Sequence, residues 1–131
     1  MTTYGCANDN IMSAKVFNLP CAPNLVEALT AAIRGYVAIQ YPPGVSDCAL
    51  AAREALLTVA ENIETGCQSA TTVTLSRRLL TMLKIAVNFY CDQRSEGEAR
   101  EMARDAMLAA LQGEQVTDEL IAPLLNRQIH Q

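Results

Sequence analysis

The sequence has no tryptophan, two phenylalanines and a single histidine, and aromatic residues fill only 5% of its 131 positions. A core without large rings must be built from Leu, Ile, Val, Met and much Ala. That composition favours helices, because Ala has the best helix propensity and allows close packing. The five cysteines, at positions 6, 21, 48, 67 and 91, form no CxxC pair, and the one histidine is His130. These spacings do not make a zinc site, so no metal and no cofactor is expected. An odd cysteine count without a pattern is a poor disulfide framework. The expectation is that most of these residues are small apolar side chains or free thiols in a reducing compartment.

Positive charge is scarce as well. The formal net charge is −4 and the isoelectric point near 4.9, which argues against a free-standing nucleic-acid binder. No uncharged apolar run reaches the length that spans a bilayer. The stretch MTTYGCANDNIMSAKVF lacks the basic residues and unbroken apolar run of a signal peptide. A cytoplasmic setting without membrane association is therefore expected. No Gly-rich phosphate loop, Gly-x-Ser-x-Gly elbow or Glu-x-x-His pair is found. The β-branched run Thr71-Thr72-Val73-Thr74 is short and adjoins stronger helical periods, so strands are not expected.

Hydrophobic residues make up 50% of the chain and charged residues 18%, enough for one globular domain with its own core. The pattern predicts an all-α fold: a four to five helix bundle over residues 23–131, preceded by an irregular, extended arm over 1–22 that docks through Val16, Phe17 and Leu19. A first helix is expected from near Asn24, as its cap, to Gln40, with Leu25, Leu29, Ala32, Ile33, Tyr36 and Val37 at helical spacing. Gly35 within it costs roughly 1 kcal/mol relative to Ala and suggests a close crossing. Pro42, Pro43 and Gly44 stop that helix, and Ser46 or Asp47 caps a second, which ends at Gly66 where a left-handed residue is usual.

The third helix is expected from Thr72 or Thr74 to Cys91. Apolar residues cover most of its circumference, leaving a narrow polar ribbon of Arg77, Thr81, Lys84, Asn88 and Asp92. Such a helix is normally buried on two sides, and in a chain this small the second side suits another copy of the protein. The fourth helix has a capping-box signal, Ser95-Glu96-Gly97-Glu98, and should stop at Gly113. A last short helix from Asp118 holds Pro123, which must bend or restart it.

Two features could carry function. Cys48 falls in the first turn of the second helix, where unpaired N–H groups and the helix dipole lower a thiol pKa. Against a catalytic role, Asp47 adjoins it and no histidine is near in sequence to act as its base. The alternative is a small residue packed beneath the turn. The second feature is charge distribution. Residues 72–94 carry Arg77, Arg78, Lys84 and Arg94 against Asp92, a local balance of +3, whereas 95–119 carry seven acids against Arg100 and Arg104, a balance of −5. Either the basic stretch faces an acidic partner, or the two helices lie antiparallel and neutralise each other.

The function expected from these features is a small cytosolic protein–protein interaction module, acting as a regulator, inhibitor, adaptor or chaperone-like factor. It docks without covalent chemistry through Arg77, Arg78, Thr81 and Lys84, and is paired with a second copy as a homodimer. The alternatives are a thiol enzyme or redox sensor using Cys48, and a nucleic-acid-binding regulator using the basic third helix.

Overall fold

The computed structural model describes residues 16–44, 46–94, 97–115 and 117–125. The chain runs through strand β1 (Val16–Pro20), helix α1 (Pro23–Gln40), helix α2 (Asp47–Gly66), strand β2 (Thr72–Ser76), a 3-10 turn (Arg77–Leu79), helix α3 (Leu80–Arg94), helix α4 (Glu98–Leu111) and a 3-10 helix (Asp118–Leu125). It is mostly helical. The exception is a two-stranded antiparallel sheet, where no strand was expected.

The start of the expected third helix, Thr72–Ser76, belongs to this sheet. Phe17 pairs with Leu75 and Leu19 with Val73. Phe17, Leu19 and Leu75 are buried while Val16, Asn18 and Thr74 are exposed, the two-residue alternation of a half-buried strand. The β-branched Thr72, Val73 and Thr74 suit it. Across the exposed face, the Thr74 hydroxyl donates to Asn18 Oδ1 at 2.9 Å. The Cys21 N–H donates to the Thr71 carbonyl at 2.9 Å, which sets the phase of the ladder. Every second pair exchanges hydrogen bonds, so Leu19 with Val73 and Phe17 with Leu75 do so. Pro20 then falls where its missing N–H points away from β2, the position a proline can occupy at a sheet edge.

The helices bury one continuous core. Leu25, Leu29, Ile33 and Val37 of α1 meet Leu56, Ala60 and Ile63 of α2, Leu83, Ala86 and Val87 of α3, and Met107, Ala110 and Leu111 of α4. Helix α1 touches α2, α3 and the C-terminal 3-10 helix, and α3 lies between α1 and α4. The 3-10 helix closes the core with Ile121 and Leu124. Pro123 sits inside it, where a missing N–H is tolerated in a short piece of tighter helix.

The helix ends differ from expectation in three places. Asn24 does not cap α1; Ala22 occupies the cap position without a side-chain bond. The free N–H groups of Asn24 and Leu25 instead donate to the two carboxylate oxygens of Asp118, each at 2.9 Å, and the Asn24 side chain returns a bond to the Asp118 carbonyl at 3.1 Å. The cap is thus supplied from 94 residues away. Ser46 does cap α2, its hydroxyl accepting from the Ala49 N–H at 3.2 Å. Gly66 at the end of α2 is not left-handed, since the positive-φ glycines described are Gly44, Gly97 and Gly113. A Cβ at Gly66 would instead come within 3.0 Å of Val73 Cγ2, so glycine there lets β2 approach α2. Gly35 marks no crossing: nothing lies within 4 Å of where its Cβ would be. The start of α4 is capped by Gly97 without a side-chain bond, and Ser95 and Glu96 of the expected capping box lie outside the described residues.

Candidate functional site

The basic surface begins where β2 ends. The Ser76 hydroxyl accepts from the Arg78 N–H at 3.2 Å, a local turn that swings the chain from the strand into the 3-10 turn and on into α3. Arg77, Arg78 and Thr81 are exposed and Lys84 is half-buried. The four residues run along one side of the turn and the first part of α3. Ile85, 44% exposed, flanks Thr81 at i+4 spacing on the helix.

The rest of the polar ribbon is taken by α4. Arg104 Nη1 donates to Asn88 Oδ1 at 2.7 Å, and Nη2 donates to Asp92 Oδ1 at 2.8 Å. Its Nη2 also lies 3.6 Å from Glu101 Oε2. The Asp92 bond holds the Arg104 guanidinium above its usual pKa, against the lowering effect of burial. The acidic α4 therefore contacts the basic α3 through exchanged signs: an arginine of the acidic helix meets the aspartate of the basic one. Arg77, Arg78, Thr81 and Lys84 form a basic patch at the front of α3, shorter than the ribbon read from helical spacing.

Other basic side chains are committed inside the molecule. Arg34 of α1 makes a two-pronged pair with Glu64 of α2 at 2.7 and 2.9 Å, and that bond holds the Glu64 carboxyl below its usual range. Arg53 Nη1 donates to the Tyr41 carbonyl at 2.9 Å, tying α2 to the turn after α1. Arg100 bonds Glu101 at 3.2 Å.

The cysteines divide into three kinds. Cys21 and Cys67 form a disulfide, contrary to the expectation of unpaired residues. Cys91 is wholly buried, and burial raises its thiol to about 11, so it stays protonated near neutral pH. Cys48 sits in the first turn of α2 as expected, but it is exposed and does not pack beneath the turn. The described residues place no histidine beside it, and His130 and Cys6 lie outside them. Among the described residues, no group of three or more His, Cys, Asp or Glu side chains is placed to hold a metal ion, and no helix is long and apolar enough to cross a membrane.

A shallow groove of about 480 Å³ runs between α1 and α3, with Ala31, Gly35 and Ala38 on one side and Phe89 and Gln93 on the other. Tyr36 stacks edge-on against both Phe89 and Tyr41, with centroids 5.7 and 6.0 Å apart. The basic patch lies outside this groove.

Sequence reasoning missed two residue sets that shape the molecule, the disulfide and Asp118. Their only signal was position: Cys21 lies between prolines, Cys67 follows the glycine that ends α2, and Asp118 opens the last apolar run.

The fold and the patch together describe a small, disulfide-bonded helical domain with a basic surface at one helix start. Compared with known protein families, curated proteins and solved structures, the chain matches none.

Proposed function

We propose that this chain is a protein-interaction module that docks an acidic segment of a protein partner against Arg77, Arg78, Thr81 and Lys84, with no covalent step. The observation that carries the reading is the clustering of exposed cations at one helix start: Arg77 and Arg78 are adjacent in sequence and both exposed at the amino end of α3. Two cations next to the positive end of a helix repel each other and the dipole, and an external carboxylate relieves both. Exposed Ile85 beside Thr81 adds an apolar contact to such a dock.

The reading includes pairing of the chain with a second copy. Apolar side chains remain exposed on several elements, Ile39 at 61%, Leu50 at 43% and Met102 at 43%, and burial in a dimer would cover part of that surface. The cytosolic setting expected from the sequence fits the Cys21–Cys67 bond poorly, because disulfides persist mainly in oxidising compartments. A role regulating a partner stands in either setting.

The test is binding of a labelled Glu-rich peptide at low salt, followed by fluorescence anisotropy. Changing Arg77 and Arg78 to Glu should weaken binding at least about tenfold, equivalent to ~1.4 kcal/mol, with the helical circular dichroism unchanged. Equal binding by the double variant would remove the basic patch from the mechanism. Light scattering on the same samples tests the pairing, and a monomer at all concentrations would rule it out.

A further inference from the structure

We infer that the Cys21–Cys67 disulfide is a redox-sensitive clasp that holds β1 on the molecule, and that a dithiol reductant releases β1 locally while the helical core stays folded. The bond joins the residue that links β1 to α1 with the residue that follows α2, across 46 residues of sequence. It lies next to the last rung of the sheet, the Cys21 N–H to Thr71 bond, so it closes the ladder at that end.

Among the described residues, β1 pairs on one side only, within a two-stranded sheet, and such a ribbon is marginal without further support. Its other described anchors include the buried side chains of Phe17 and Leu19 and contacts with α4 and the Arg77–Leu79 turn. Helices α1, α3 and α4 and the C-terminal 3-10 helix are also joined by direct contacts that do not run through β1. Opening the clasp therefore removes the constraint from the element with fewest supports and leaves the rest of the core in place.

The bond is also within reach. Cys21 and Cys67 are half-buried rather than sealed, and both line an open groove of about 440 Å³ with Pro23, Val26, Thr30 and Glu64. A thiolate of the reductant attacks one sulfur of the pair, forming a mixed disulfide and expelling the other sulfur as a thiolate that takes up a proton. The reductant's second thiol then displaces the remaining cysteine. Two electrons and two protons pass to this chain, which ends with two thiols, while the reductant ends as a disulfide. Release of β1 uncovers Phe17, Leu19 and the apolar surface beneath them.

Hydrogen exchange read by mass spectrometry, on the full oxidised chain with and without dithiothreitol, tests the clasp. A gain of two hydrogens confirms that the bond has opened. Exchange at the Phe17 and Leu19 amides should then rise roughly tenfold or more while Leu83, Ala86 and Val87 in α3 stay protected. The Cys21→Ser/Cys67→Ser variant should show fast β1 exchange from the start and no response of those amides to reductant. Unchanged β1 exchange in the reduced protein would overturn the inference, and so would loss of α3 protection together with β1. Alkylation of Cys21 and Cys67 without any reductant in the purified protein would overturn it as well.

Discussion

The amino end of α1 is anchored on two sides by unlike means. On one side Cys21 is bonded covalently to Cys67 at the end of α2. On the other, three residues on, the backbone of Asn24 and Leu25 is held by the Asp118 carboxylate. Both anchors join segments far apart in sequence, and both sit where a helix leaves unsatisfied groups or a strand ends. They differ in what can undo them. The disulfide acts largely on the unfolded chain, by limiting its freedom, and responds to reductants. The aspartate acts on the folded state, by satisfying two N–H groups and placing a negative charge at the positive end of the helix dipole, and it is indifferent to redox conditions.

The largest effect should come from removing the covalent anchor. The Cys21→Ser/Cys67→Ser variant is expected to lose about 2–4 kcal/mol of unfolding free energy, measured by urea denaturation. The gap between variant and wild type should vanish when both are measured in reductant. A gap that persists in reductant would show that the serines perturb the fold for another reason.

A smaller loss, about 1–2 kcal/mol, is expected for Asp118→Ala, which strips α1 of its only described carboxylate cap. Reductant should not change that difference, because the disulfide acts largely on the unfolded chain and the aspartate on the folded state. If the double and single changes prove strongly non-additive, the two sides of the α1 start are one coupled unit and the contrast drawn between them fails.

The smallest effect belongs to a third tie between α1 and α2, the Arg34–Glu64 pair. Its partners are 44% and 42% exposed, so water screens the interaction. Glu64→Gln should cost no more than about 0.5 kcal/mol near neutral pH. Because Arg34 holds the Glu64 carboxyl below its usual range, the contribution is present above the unfolded value of about 4.3. It is lost as pH falls through the lower folded value. Wild type and variant should therefore converge at acid pH, and a difference that grows there would contradict the assigned cause.

The parts legible in the sequence share one property: they depend on near neighbours. The apolar periodicity of Leu25 to Val37 and the Ser46 cap are written within a few residues, and they located α1 and α2 almost to the residue. Gly113 after α4, with φ of 85°, is local in the same way. The 72–76 segment shows the limit. Leu75, Leu79, Leu80 and Leu83 extend a helical period backwards through it, while Thr72, Val73 and Thr74 favour a strand. Only pairing with residues 16–20 decides between them. For the candidate site, Arg77, Arg78, Thr81 and Lys84 could be read as one face of a helix. That Arg104 would claim Asn88 and Asp92, ending the patch at Lys84, could not.

What the sequence by itself determined is the set of elements that a short stretch can stabilise alone: amphipathic helices, their local caps and a core made without large aromatics. The tertiary structure decided which cysteines are joined, which acid caps α1, that β1 and β2 are strands, and which cations remain on the surface. Each of those outcomes depends on a group brought from 12 to 94 residues away. Loop closure between such distant positions is governed by how all the apolar faces pack together, and no single stretch of the chain encodes it.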